Sequence, residues 1–174
     1  MNAETMQLFT AMLTVMTLGA VAITWVARFS RRAAWARTWI ATLREHRVLA
    51  GALVAGAAMA GSLWFSEVAG YVPCTLCWYQ RIAMYSLAII GVVAVIRKER
   101  PTAYIVTLAS IGLLVSIYHY LLERFPSLDA GACSTTLPCE YIWFERFGFI
   151  TLPFMALTGF LAILTLHTLP EVSS

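Results

Sequence analysis

Residues 74–100 read CTLCWYQRIAMYSLAIIGVVAVIRKER, and this stretch decides the fold. From Cys77 to Ile96 it is apolar over about 20 residues, the length that crosses ~30 Å of hydrocarbon. Backbone polar groups find no water in lipid, so the segment is expected to be a helix. A C-x-x-C pair, Cys74 and Cys77, stands at its head, and Arg97, Lys98 and Arg100 follow its end. Working outward, four more apolar runs appear: Leu8–Ala27, Val48–Phe65, Thr102–Leu122 and Phe149–Leu166. With 60% hydrophobic and 12% charged residues among 174, these runs leave little room for an independent soluble domain. The expected fold is an all-α membrane protein. Residues 48–174 would form an antiparallel four-helix transmembrane bundle. Residues 1–47 would supply one additional N-terminal transmembrane helix and a basic amphipathic cytoplasmic segment.

Charge orients the runs. Arg28, Arg31, Arg32, Arg37, Arg44 and Arg47 lie between the first two, and Arg97, Lys98 and Arg100 between the third and fourth. Basic residues are retained on the cytoplasmic side, so both loops are expected there. The connections Ser66–Pro73 and Glu123–Gly148 then face outward, and both hold cysteines or adjoin them. That compartment permits disulfides, whereas the cytosol generally does not. The N-terminus is expected outside and the C-terminus inside. Met1–Gln7 carries no cationic leader, so the first run is expected to be an uncleaved anchor. A net charge of +3 carried by membrane-flanking arginines gives no reason to expect nucleic acid.

Smaller patterns refine this picture. Trp35, Trp39 and Leu43 recur every four residues among arginines, as in a helix lying on an anionic leaflet or a connector with aromatic anchors. Ala52, Gly56 and Ala60 share a helical face on which backbones approach closely in lipid. Pro101 and Pro153 suit helix starts.

Chemistry centres on four cysteines. Pro73 suits the first helical position, placing Cys74 and Cys77 in or beside the first turn. There the helix dipole favours a thiolate, and an offset of three residues puts both sulfurs on one face. Redox exchange, metal ligation and haem attachment all use C-x-x-C, and Trp78 replaces the histidine that haem attachment requires. Arg81 lies one turn below Cys77, either snorkelling to headgroups or facing negative charge at Cys77 or on a bound acceptor. His119 falls at a similar depth in the fourth run, as a packing residue or as part of that site. Cys133 and Cys139 allow a small, exposed disulfide ring that constrains little unfolded-state entropy and is easily attacked. The aromatic stretch Tyr141–Phe149 is expected to hold this loop near the membrane. Four cysteines allow three pairings. The competing account is a non-enzymatic membrane scaffold with structural disulfides or a four-cysteine zinc site. Arg81 beside the pair argues against zinc, and no metal is expected.

Pro73-Cys74-x-x-Cys77-x-x-Gln80-Arg81 resembles the signature of the DsbB/BdbC family of membrane thiol:quinone oxidoreductases. Tyr118-His119-Tyr120-Leu121-Leu122, Pro138-Cys139 and Gly148-Phe149-Ile150-Thr151-Leu152-Pro153-Phe154 resemble later parts of that family, so the similarity runs from about Val48 onward. The resemblance implies a protein-disulfide oxidase in the bacterial cytoplasmic (inner) membrane. It would reoxidise a soluble DsbA-like thioredoxin-fold oxidase and pass the electrons to a membrane quinone, ubiquinone or menaquinone. By the same resemblance, the partner attacks Cys133, the released Cys139 attacks Cys74, and Cys77 passes electrons onward. Arg81, His119 and Gln80, with Cys77, would bind the quinone. The first run lies outside the usual four-helix core, and the second cysteine pair is more closely spaced than in DsbB proper.

Overall fold

The computed structural model describes residues 2–30, 32–129, 131–133 and 138–170. It contains helices α1 (Ala3–Phe29), α2 (Ala34–Glu67), α3 (Thr75–Arg97), α4 (Thr102–Arg124) and α5 (Leu152–His167), with a 3-10 turn at Pro126–Leu128. Among the described residues the only bridge pairing is an isolated one between Arg146 and Ile150. Helices α1 to α4 are long and apolar enough to cross a membrane, while α5 is apolar and shorter.

Two elements differ from the sequence expectation. Helix α2 runs unbroken through residues assigned above to a separate surface helix and a span. Its 34 residues rise about 50 Å at ~1.5 Å each, longer than ~30 Å of hydrocarbon requires, and its first turns are the part added to the expected span. Their apolar face covers protein rather than lipid: Ala36 and Ile40 are buried with Ala27 and Leu169, and Trp39 and Leu43 pack against them. The Trp39 indole donates to Thr24 Oγ1 at 3.1 Å. At the other end of the chain, helix α5 begins three residues later than the apolar run does. Phe147 and Gly148 adopt left-handed φ of 53° and 76°, and Arg146 and Ile150 exchange backbone hydrogen bonds at 2.9 Å. Phe149 and Ile150 therefore belong to a turn, and Pro153 sits in the first turn of the helix, where its missing N–H costs nothing.

The core is small-on-large packing. Ala55, Ala83, Met84, Leu87, Ala88, Ile105, Ala109, Phe160 and Ile163 form one buried cluster drawn from α2 to α5. A Cβ on Gly112 would stand 2.3 Å from the fully buried Phe160 ring, so α4 and α5 meet there through a glycine. Helices α2 and α3 meet at Ala52 against Gly91, with a would-be Cβ at 2.9 Å. Of the expected small-residue face only Ala52 is at a contact; Gly56 meets nothing and Ala60 is exposed. The packed face is turned slightly, to Gly51, Ala52 and Ala55.

Helix α1 leans on α2 and α5. At its start Gln7 Nε2 donates to the Tyr71 hydroxyl at 2.7 Å, and Arg146 Nη2 donates to Gln7 Oε1 at 2.7 Å. Near its end Trp25 Nε1 donates to Thr165 Oγ1 at 3.3 Å and Arg28 Nη1 to the Thr168 carbonyl at 3.1 Å. Its start is thus pinned to the loops ahead of α3 and α5, and its end to the end of α5.

Candidate thiol relay site

Cys74 is the N-cap of α3, so Pro73 stands one residue before the cap instead of at the first helical position. The sulfur takes the part a Ser or Asp oxygen usually plays, accepting the Cys77 N–H at 3.3 Å. One turn then brings the Cys77 sulfur to 2.8 Å from the Cys74 sulfur, as the three-residue offset requires. Both thiols are free. The hydrogen bond from Cys77 outweighs burial and, aided by a hydrogen bond from His119, holds the Cys74 thiol well below its usual pKa range.

Cys133 and Cys139 are joined by a disulfide. Residues 134–137 between them lie outside the described residues. Cys139 is buried at 2% exposure while Cys133 is half-buried, so one sulfur faces inward and the other is more open. Cys139 packs with Cys74, Leu76 and Leu122, and Cys77 and Cys133 border the same cluster. All four cysteines therefore gather at one place. With Cys133 and Cys139 bonded to each other, the four-thiolate donor set of the zinc account is not available. Cys74, Cys77 and His119 bring their donor atoms within 4.8 Å of one another.

His119, expected at the depth of the Cys74–Cys77 pair, lies against that pair. It is buried, with Nε2 3.6 Å from Cys74 Sγ and 3.1 Å from the Cys139 carbonyl oxygen. It thus lies between the two cysteine pairs. With Cys74, Cys77 and Glu123 it lines a cavity of about 230 Å³. Glu123, one turn beyond His119, accepts the Thr151 hydroxyl at 2.6 Å. Sequence reasoning passed over this carboxylate; its signal was an acidic residue four positions after a histidine at the end of an apolar run.

A larger cavity of about 380 Å³ is lined by Cys77, Gln80, Arg81, Ser62, Tyr85 and Met155, among others. Cys77 lines both cavities. Arg81 is held by α2 through a 3.1 Å hydrogen bond from Nη2 to the Ser62 carbonyl, and its guanidinium lies 5.5 Å from the Trp78 ring centre. Gln80 is 7% exposed and its amide nitrogen has no partner. A buried donor without an acceptor is costly, so the site suits a ligand carrying a carbonyl oxygen. Apolar neighbours such as Leu53, Val54 and Ala156 suit the body and tail of a lipid-soluble molecule. A quinone headgroup has both properties, and the residues present fit it.

Aromatic side chains tie the loops over this region. Trp143 stacks on Tyr71 at 4.6 Å, and Phe144 packs on Phe65 at 5.3 Å. These contacts hold the loop to Phe65 at the end of α2 and to Tyr71, just ahead of Cys74.

Comparison with known proteins adds an independent line. The family model described as disulfide bond formation protein DsbB matches residues 44–169. The chain is 51% identical over 115 residues to a probable disulfide formation protein of Oceanobacillus iheyensis, covering 64% of this chain and 79% of that one. It is 43% identical over 114 residues to disulfide bond formation protein C of Bacillus subtilis, covering 64% and 83%. A third similarity is to probable disulfide formation protein C 1 of Bacillus anthracis, 39% identical over 132 residues, covering 75% and 83%. No solved structure matches.

Proposed function

The chain belongs to the DsbB family of disulfide bond formation proteins, and from that premise we propose that it is a membrane thiol:quinone oxidoreductase reoxidising a soluble, DsbA-like dithiol protein. It is a multi-pass membrane protein, with α2 to α5 as the antiparallel four-helix core and α1 as a fifth span. The basic residues at 28–47 and 97–100 support a cytoplasmic location for those segments. Both cysteine pairs and the N-terminus then lie at the outer face of a bacterial cytoplasmic membrane.

The residues divide the work by depth. Cys133, the more open sulfur of its disulfide, is the one a partner thiolate attacks, and Cys139 leaves as a thiolate. The partner's second thiol closes the partner's own disulfide and releases Cys133 reduced. Cys139 passes its pair of electrons by attacking Cys74 of an oxidised Cys74–Cys77 pair, and Cys133 then resolves that bond to restore Cys133–Cys139. The inner pair is left as dithiol and the outer pair as a disulfide. His119, in contact with Cys74 and the Cys139 backbone, orients the two pairs and is placed to carry the proton exchanged between them. Gln80 and Arg81 would hold a quinone in the larger cavity beside Cys77, and such a group would supply the acceptor for the two electrons and two protons that Cys74 and Cys77 release on closing their disulfide. Arg81 supports negative charge on that side of Cys77, and Gln80 donates to a carbonyl oxygen.

The observation carrying this reading is that Cys77 lines both cavities, one shared with His119 and Glu123 and the other with Gln80 and Arg81. The test is quinone reduction by the purified protein, followed by absorbance, with a reduced thioredoxin-fold dithiol protein as donor. Turnover should be abolished in Cys77→Ser. Bound zinc with no quinone reduction by the wild type would overturn the reading in favour of a scaffold.

A further inference from the structure

Helix α1 lies outside the residues matched to the family, which begin at residue 44. Even so, Thr10, Leu13, Thr14 and Thr17 line the larger cavity together with Cys77, Gln80 and Arg81. Thr10, Thr14 and Thr17 stand at i, i+4 and i+7, on one helical face. Each hydroxyl donates at 2.8 Å to a carbonyl one turn back: Met6, Thr10 and Leu13 respectively. Their protons are therefore spent inside the helix. What they offer the cavity is methyl groups and oxygen lone pairs, a wall that donates nothing. Donors to the cavity come instead from other elements, among them Gln80 and Arg81 of α3.

The position of this wall is also held. Gln7 joins Tyr71 and Arg146 at the start of α1, and Tyr71 stacks on Trp143, which lines both cavities. The Thr10 methyl lies 3.9 Å from where a Cβ on Gly61 would be, so α1 and α2 approach closely beside the cavity.

Resting on the proposed acceptor site, we propose that α1 is the specificity wall of that site: Thr14 and Thr17 contact the quinone bound beside Cys77 and limit the ring substituents and tail it admits. Without α1 this side of the cavity would open to lipid, and a membrane quinone could bind there without being selected.

The test uses the full-length protein in detergent. Quinone binding is read by quenching of tryptophan fluorescence on titration with decylubiquinone. A photoreactive azidoquinone of the same tail length then locates the contact by mass spectrometry. In the wild type, label is expected on the α1 peptide containing Thr14 and Thr17 as well as on α3. Thr17→Phe, at a half-buried position, should weaken decylubiquinone binding about tenfold by filling the cavity. Thr17→Val keeps the shape and should bind like wild type. In all these proteins the Cys133–Cys139 bond should exchange with a reduced partner at an unchanged rate. Label confined to α2 and α3, or equal binding by Thr17→Phe and wild type, would overturn the role of α1 while leaving the acceptor site standing. A wild type that neither binds nor reduces the quinone would overturn the acceptor site itself. Photolabelling of the wild type decides the matter even where a phenylalanine variant folds poorly.

Discussion

Cys74 owes its acidity to two neighbours one turn and one helix away. Because the Cys77 hydrogen bond is the larger cause and His119 a further one, the thiolate should persist far below the usual range for a thiol. In the reduced protein, iodoacetamide alkylation of Cys74 should stay fast as pH falls from 7, its inflection lying well below that of an ordinary thiol. His119→Ala should move that inflection upward, and Cys77→Ala should move it further. An inflection near that of an ordinary thiol in the wild type would remove the basis for a directed relay. Arg81 makes a separable prediction. Arg81→Ala should slow quinone reduction about tenfold or more by losing one charged interaction, while mixed-disulfide formation at Cys133 proceeds as before. Equal loss of both steps would mean that its bond to the Ser62 carbonyl serves folding. The placing of Cys74, Cys77 and Arg81 near one another was legible in the sequence because their spacing along one helix defines a face and a depth, while Gln80 entered only through the family resemblance. The place of His119 was not, since depth along α4 says nothing of which neighbour that helix turns toward.

At the level of helices, glycines set the approach distances. Gly112 leaves no space beside Phe160, whose ring is fully buried and has nowhere to retreat. Gly112→Ala should destabilise the bundle by about 1–3 kcal/mol, seen as a lower midpoint of thermal unfolding in detergent with disulfide content unchanged. Gly56→Ala is the control, because nothing lies within 4 Å of its would-be Cβ; it should leave the midpoint unchanged. The small-residue spacing at Ala52, Gly56 and Ala60 is visible in the sequence, yet only Ala52 lies at a contact. Period alone cannot tell which of two neighbouring faces meets protein. The same holds for α2. The Trp39 and Leu43 pattern is truly amphipathic, but whether its apolar side meets lipid or another helix depends on where α1 and the chain near Leu169 lie.

Across the whole molecule, both cysteine pairs, the start of α1 and the aromatic loop collect at one end, and the arginine-rich segments belong to the other. A membrane-impermeant maleimide applied after mild reduction should label Cys133 in right-side-out spheroplasts and not in inverted vesicles. A cysteine placed at Lys98 in a background without the native four should show the reverse. Labelling of Cys133 from the cytoplasmic side would contradict the charge argument and the relay with it. The number of apolar helices, the orientation expected from arginine placement and the gathering of reactive thiols near a helix start were all determined by the sequence alone. They depend on local quantities: hydropathy, charge and spacing along the chain. Tertiary structure decided the rest. It put His119 between the cysteine pairs, made Cys77 common to two cavities, and set α1 as a wall of one of them. These are azimuthal relations between helices distant in sequence, and they arise only when side chains of unequal size settle into one packing.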